Sequence, residues 1–206
     1  MSFYRSSEMI NHNYFLDNVV LKRVSQVNDL GFVFVPSLDS RPHIDLIVGK
    51  ALRMLGFIRR NTTHFKSRDC LVALYCSLVR SILEYGTLIW SPYTAVDKSR
   101  INKVQNRFLG FAGYTLNIAH PAHDYGPINE ILKLESLELR RKTFGKYFID
   151  KLLHGDIDAP RLIERLDIHV PSNTRFQSKF YVPLSRSNFS KNAPLIKLMR
   201  EYNESL

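Results

Sequence analysis

The stretch "RDCLVALYCSLVRSILEYGTLIWSPY", from Arg68 to Tyr93, sets the strongest limit on how this chain folds. Projected at roughly 100° per residue, Leu71, Leu74, Tyr75, Leu78, Ile82, Tyr85 and Ile89 form one apolar stripe. Val72, Cys76, Val79, Leu83 and Trp90 form a second stripe beside it, and Ala73, Ser77, Arg80, Glu84 and Thr87 make the polar remainder. A helix apolar over more than half its circumference must be covered on most sides, so it belongs in the middle of a helical domain. The stripes keep phase through Gly86, which predicts one continuous helix with Gly86 at the centre of the buried arc. There the missing side chain lets another backbone approach, and the propensity cost of about 1 kcal/mol relative to Ala is small beside the burial around it.

The flanking segments supply partners for such a helix. After Pro42, Ile44, Ile47, Val48, Ala51, Leu52, Leu55 and Ile58 recur at three- and four-residue steps, the mark of an amphipathic helix that breaks in "NTTHFK". Ser67 is placed to cap the next helix, with Asp69 in its first turn. A third helix carries Ile101, Val104, Phe108 and Phe111 on one face and Arg100, Lys103 and Arg107 beside them. The segment "INEILKLESLELRRKTFGKYFIDKLLHG" reads as a helix pair whose later member turns Leu137, Phe144, Phe148 and Leu152 inward, with Gly155 as its stop. "APRLIERLDIHV" reads as a short helix, "RFQSKFYVPL" as a strand or extended arm, and "APLIKLMREYN" as a closing helix. The N-terminal residues differ: "SFYR", "YFLDNVVLKRV" and "LGFVFV" are aromatic and branched, which predicts about three strands with turns at Asn28, Asp29 and Gly31. The fold class is therefore mainly α, a helical bundle preceded by a small N-terminal β segment.

Chemistry is sparse along the chain. His120, His123 and Asp124 fall short of the four converging ligands a zinc site needs, and Asp156 and Asp158 in "HGDIDAP" suit a turn after a helix stop. Neither a nucleophile motif nor a glycine-rich phosphate loop stands in the sequence, so no catalytic or metal-ligating residue is assigned. Cys70 and Cys76 read as small buried hydrophobes in a reducing compartment rather than as a disulfide. The first residues lack the pattern of a signal peptide, and no stretch approaches about 18 unbroken apolar residues. The expectation is an intracellular protein, nuclear or cytoplasmic, without a membrane partner.

Charge points further. The 206 residues hold 29 Lys and Arg against 19 Asp and Glu, a formal net charge of +10, which favours a polyanionic partner. The cations gather at helical spacing in three groups: Arg53, Arg59, Arg60, Lys66 and Arg68; Arg100, Lys103 and Arg107; Arg140, Arg141, Lys142 and Lys146. Solvated outer faces and phosphate contacts both produce such groups.

Specific strings carry a resemblance. "LKRVSQVNDLGF", "HIDLIVGKALRMLGFIRRNTTHF", "LYCSLVRSILEYGTLIWSPY", "INKVQNRFLGFA" and "LESLELRRKTF" follow one another in the order found after the palm in the reverse transcriptases of non-LTR (LINE-type, jockey-like) retrotransposons. In that comparison "MSFYR" resembles the strand near the end of the palm, and the motif around Tyr85, Gly86, Trp90 and Pro92 resembles the most recognisable part of the thumb. The resemblance covers nearly the whole chain. It implies three parts: residues 1–42 as the end of the palm, 43–155 as a helical thumb-like domain, and 156–206 as a C-terminal helical and extended segment.

The same resemblance implies a fragment of an RNA-directed DNA polymerase, a nucleotidyltransferase of a transposable element. Its thumb grips an RNA/DNA template-primer duplex through phosphates, with Arg53, Arg59, Arg60, Lys66, Arg100, Lys103 and Arg107 as the contacting residues. Tyr85, Gly86, Trp90 and Pro92 are assigned to packing. The paired palm aspartates of the family have no counterpart here, so the chain is expected to be inactive alone, and Mg2+ is expected only for the full-length polymerase with its palm and fingers. Val35 and Pro36 stand where the family has a polar pair containing Asp, and Ser40 where an aromatic is usual. These departures suit a relaxed copy, with Met1 an internal methionine of a longer frame. The alternative is a degenerate, non-catalytic helical module that binds nucleic acid or protein.

Overall fold

Two tight turns of left-handed backbone shape the N-terminal segment of the structure, a computed structural model that describes residues 1–4, 12–62, 64, 66–169 and 178–206. Strand β1 (Phe15–Leu16) pairs antiparallel with β2 (Val19–Val20) around Asp17 and Asn18, whose φ angles are 48° and 62°. Strand β3 (Val27–Asp29) pairs antiparallel with β4 (Phe32–Phe34) around Leu30 and Gly31, at 47° and 85°. Positive φ at both central residues matches the twist of the flanking strands, which is why two-residue hairpins use it. The expected single strand in "YFLDNVVLKRV" is thus a hairpin, and its Asp-Asn pair was the turn signal. Residues 1–4 form no strand; Tyr4 N–H donates to the Pro36 carbonyl at 3.0 Å. Arg5 lies outside the described residues, as do residues 175–177 of the expected extended arm.

The helices begin where the periodicity changes. Helix α1 (Arg41–Asn61) starts with Pro42 in its first turn and buries Ile44, Ile47, Ala51, Leu55 and Ile58, the expected stripe. The next helix, α2 (Arg68–Leu74), opens on Ser67, whose hydroxyl accepts from Cys70 N–H at 3.4 Å. Helix α5 (Ala95–Thr115) buries Ile101, Val104 and Phe108, while Phe111 stays partly exposed. Its Phe108 ring stacks on Tyr75 at 4.2 Å between centroids. No helix among the described residues is long and apolar enough to cross a membrane.

The central segment departs from the continuous helix expected of it. Helix α2 runs into a π segment, Tyr75–Arg80, in which Ser81 N–H reaches back five residues to the Cys76 carbonyl; α3 (Ser81–Glu84) follows. Wider π turns hold more residues than α turns, so Leu71, Tyr75, Val79 and Leu83, spaced by four, all point into the core. Leu74, Leu78 and Ile82 are only partly buried, and Tyr85 and Ile89 are exposed.

Gly86 is a break in the chain direction, not a position inside a helix. Its φ of 60° ends α3, and α4 (Thr87–Trp90) starts anew beyond it. The close approach expected at Gly86 exists, but it is made by a side chain: a Cβ there would collide with the Phe32 ring of β4. The break frees the Tyr85 carbonyl, which accepts from the Trp90 indole at 2.8 Å. The Tyr85 ring stacks on Phe32 at 5.2 Å, and its hydroxyl donates to the Leu30 carbonyl at 3.0 Å. Trp90 and Pro92 are buried, whereas Tyr85, though exposed, packs as a clasp on the hairpin.

A second apolar cluster lies toward the C-terminus. Residues 133–136 separate helices α6 (Gly126–Leu132) and α7 (Leu137–His154); Ser136 caps α7, and Gly155 ends α7 at φ 80° as expected. The buried row of α7 is Leu137, Arg141, Gly145, Ile149 and Leu152. Phe144 faces solvent beneath Arg140, and Phe148 is partly buried, because the row is offset by one residue from the expected one. Ile149 and Leu152 join Leu166, Phe180, Met199 and Tyr202 in this cluster, with short helices α8 (Pro160–Ile163) and α9 (Asn188–Lys191) and the closing α10 (Pro194–Asn203) around it.

Two outcomes follow. Gly86→Ala should lower stability by about 2–4 kcal/mol, combining a left-handed alanine with a steric clash. In a denaturation double-mutant cycle, Phe32→Leu should recover part of that loss; additivity would mean the ring contact is not the cause. The second concerns His43, buried between Phe32 and Trp90, whose Nδ1 accepts from Val33 N–H at 3.4 Å. Burial, aided by the charge of Lys50, holds its imidazole below the ordinary range. A depressed folded-state value means the unfolded chain takes the proton first, so stability should fall as pH drops below about 6.5. His43→Asn should flatten the thermal midpoint between pH 7 and 5.

Candidate nucleic-acid interface

Helices α1 and α5 run side by side in the same direction. Asp45, near the start of α1, pairs with Arg100 near the start of α5, and Arg59, near the end of α1, lies 5.8 Å over the Phe111 ring near the end of α5. Both helices cover one core with their inner faces and turn their outer faces to solvent. Each has 21 residues, so the exposed double ridge is about 30 Å long, close to one turn of a duplex.

The basic residues of this ridge divide by their partners. Arg53 and Arg60 on α1, and Lys103 and Arg107 on α5, are exposed and form no hydrogen bond or ion pair among the described residues. Lys50 on α1 has the same standing. Lys66, just beyond the end of α1, is also exposed and unpaired among the described residues. Arg59 spends its guanidinium on Phe111, although its edge remains accessible. Arg100 is different: besides Asp45 it approaches Asp97 at 3.6 Å, so it ties the two helix starts together. Its neighbour Asp97 is buried, with its backbone N–H donating to the Thr94 hydroxyl and its carboxylate accepting from it.

Sequence reasoning passed over one member of this face. Tyr114 is 87% exposed and follows Arg100, Lys103, Arg107 and Phe111 at helical steps along α5. The spacing of 3, 7, 11 and 14 residues from Arg100 was the available signal. An exposed aromatic ring at the end of a basic stripe offers a stacking surface for a base or sugar.

The third basic group has another role. Arg140 grips Glu84 with its Nε at 2.5 Å from Oε1 and its Nη2 at 3.0 Å from Oε2, joining α7 to α3. This pair holds the Arg140 guanidinium above its ordinary range. Arg141 is buried, and Lys146 donates to the Ser205 carbonyl at 3.4 Å. Only Lys142 of the four is exposed without a partner among the described residues. Arg68, in the first group, is engaged by Asp69 and the Ile131 carbonyl.

In the loop that holds His120 and Asp124, Asp124 accepts from Gly126 N–H at 2.9 Å and His120 Nδ1 lies 2.8 Å from the Pro121 carbonyl oxygen. Among the described residues no three His, Cys, Asp or Glu side chains converge on one point. Cys70 and Cys76 are free thiols and half-buried. No family model matches the chain, and neither a curated protein nor a solved structure does.

The division between paired and unpaired cations is measurable. Arg100→Ala should cost up to about 1 kcal/mol of stability, the range of a partly exposed ion pair. Arg107→Ala should leave the thermal midpoint within experimental scatter. Equal midpoints for the two variants would dissolve the distinction.

Proposed function

We propose that this chain is the thumb and C-terminal segment of a non-LTR retrotransposon reverse transcriptase, and that it grips an RNA/DNA template-primer duplex through phosphates. The reading rests on the motif order in the sequence and on one observation: Arg53, Arg60, Lys103 and Arg107 stand unpaired on the outer face of two parallel helices. Unpaired surface cations keep their full attraction for a polyanion, because no carboxylate neutralises them first. A ridge about one duplex turn in length can follow a phosphate backbone without reading bases. In this reading the chain is a grip and not a catalyst, and the palm and fingers would supply the metal-dependent chemistry.

The hairpin β1–β2 suits the same proposal. Tyr14, Phe15, Leu16, Val19, Val20 and Leu21 are all exposed, and a lone two-stranded hairpin is marginal in water. In this reading the palm of the polymerase is the proposed cover for this apolar surface. That exposed hairpin is also the observation that favours the second reading, a non-catalytic helical module whose partner is a protein.

Titration of the purified chain with an RNA/DNA hybrid across salt concentrations separates the two. Four or five phosphate contacts should give a slope of log K against log salt of about −3 to −5. Lys103→Ala and Arg107→Ala should each reduce that slope by about 1, and Arg100→Ala should not. A flat salt response would sink the nucleic-acid reading and leave the protein-binding module.

A further inference from the structure

The buried row of α7 contains a cation where an apolar residue would be expected. Arg141 is 7% exposed, and neither Nη1 nor Nη2 has a hydrogen-bond partner among the described residues. A guanidinium keeps its proton under all ordinary conditions, so the charge is present and must be answered.

The surrounding acids are shared with other cations. Glu84 is held by Arg140 and lies 3.8 Å from Arg80, while Glu138 accepts from Lys98 at 2.8 Å. Glu201, the third acid acting on Arg141 among the described residues, lies 3.8 Å from Lys197. Lys197 is itself largely buried; its Nζ donates to the Ser91 hydroxyl at 2.7 Å and to the Pro92 carbonyl at 3.5 Å. Burial works against the charge on both Arg141 and Lys197. Glu84, Glu138 and Glu201 all act on Arg141, but Arg80, Lys98, Arg140 and Lys197 draw on the same three carboxylates, leaving an excess positive charge at the junction of α4, α7 and α10.

Arg141, Lys197, Glu201, Thr87, Ser91 and Asn192 line a common void of about 20 Å³. That is room for one particle the size of a water molecule or a halide ion, and too little for a phosphate. A water molecule would supply hydrogen-bond acceptors but no charge, whereas an uncompensated buried charge is the costlier defect. We propose that this void is a binding site for a single small monovalent anion of halide size, held by the Arg141 guanidinium and the Lys197 ammonium with the Thr87 and Ser91 hydroxyls at its edge. The site lies where α4 meets α7 and α10, so the ion fastens the segment after Gly86 to the C-terminal helices. It is independent of the outer face of α1 and α5.

Thermal unfolding of the full chain tests this directly. At fixed sodium concentration and ionic strength, chloride is substituted stepwise for a bulky anion such as isethionate. Above the dissociation constant, each tenfold rise in chloride should lift the midpoint by about 3–5 °C. Arg141→Met, which keeps length and removes charge, should abolish that dependence. Crystals of the unaltered chain soaked in bromide should show anomalous density within hydrogen-bond distance of Arg141 Nη1 or Nη2. The proposal fails if chloride and isethionate give the same midpoints, if Arg141→Met keeps the native chloride dependence, or if bromide density is absent from the void. Should the variant not fold, the anion series and the bromide crystals of the unaltered chain still decide the matter.

Discussion

The contact between Gly86 and the Phe32 ring joins the two halves of this architecture. One partner belongs to the β3–β4 hairpin and the other to the break after α3, and each is defined by the other. Without a Cβ, the chain can turn through left-handed backbone and lay its Cα against the tip of an aromatic ring at the same point. Tyr85 then stacks on that ring and bonds the Leu30 carbonyl, while Trp90 caps the carbonyl that the turn exposes. Leu30 itself holds a φ of 47°, a conformation uncomfortable for a leucine. The bond from the Tyr85 hydroxyl to its carbonyl helps hold it there.

From this clasp the central segment runs back through the core. Leu71, Tyr75, Val79 and Leu83 are four apart, a spacing that drifts around an α-helix but stays aligned when a π segment intervenes. Ser77 and Ser81 bond back to the carbonyls of Ala73 and Ser77, which favours local departures from regular helix. The aligned row offers α1 and α5 one continuous surface. Those two helices settle on it in parallel, and their outer faces become the basic ridge. The ridge is thus a consequence of core packing, since nothing but the covered inner faces determines which cations point out.

Polar contacts refine this arrangement. Glu84, Arg140 and Glu135 bind α7 to α3, and Lys98 with Glu138 binds it to α5. These groups sit where the two apolar clusters meet, a junction that hydrophobic burial alone would leave free to slide. Directional ion pairs specify register there even when their net contribution to stability is small. Gly145 allows α10 to come close, since a Cβ there would stand 2.8 Å from Leu198 Cδ2. The same close approach encloses Arg141 and Lys197.

The sequence by itself determined the helical class, the inner stripe of α1, the caps at Ser67 and Gly155, and the presence of excess positive charge. These are local properties, set by periodicity, hydrogen-bonding side chains and composition. The Asp17-Asn18 turn was also readable, through residues that tolerate left-handed backbone. Tertiary structure alone decided the rest. A fixed angular step of 100° cannot anticipate a π segment, so the projection that kept Gly86 inside a helix placed Leu74, Leu78 and Ile82 too deep and missed the break. Nor can helical spacing distinguish Arg100 from Arg107, because the difference lies in Asp45, 55 residues away along the chain. Arg141 carries the point furthest: its neighbours in sequence suggest a solvated basic face, and only the packing of α4, α7 and α10 puts it inside.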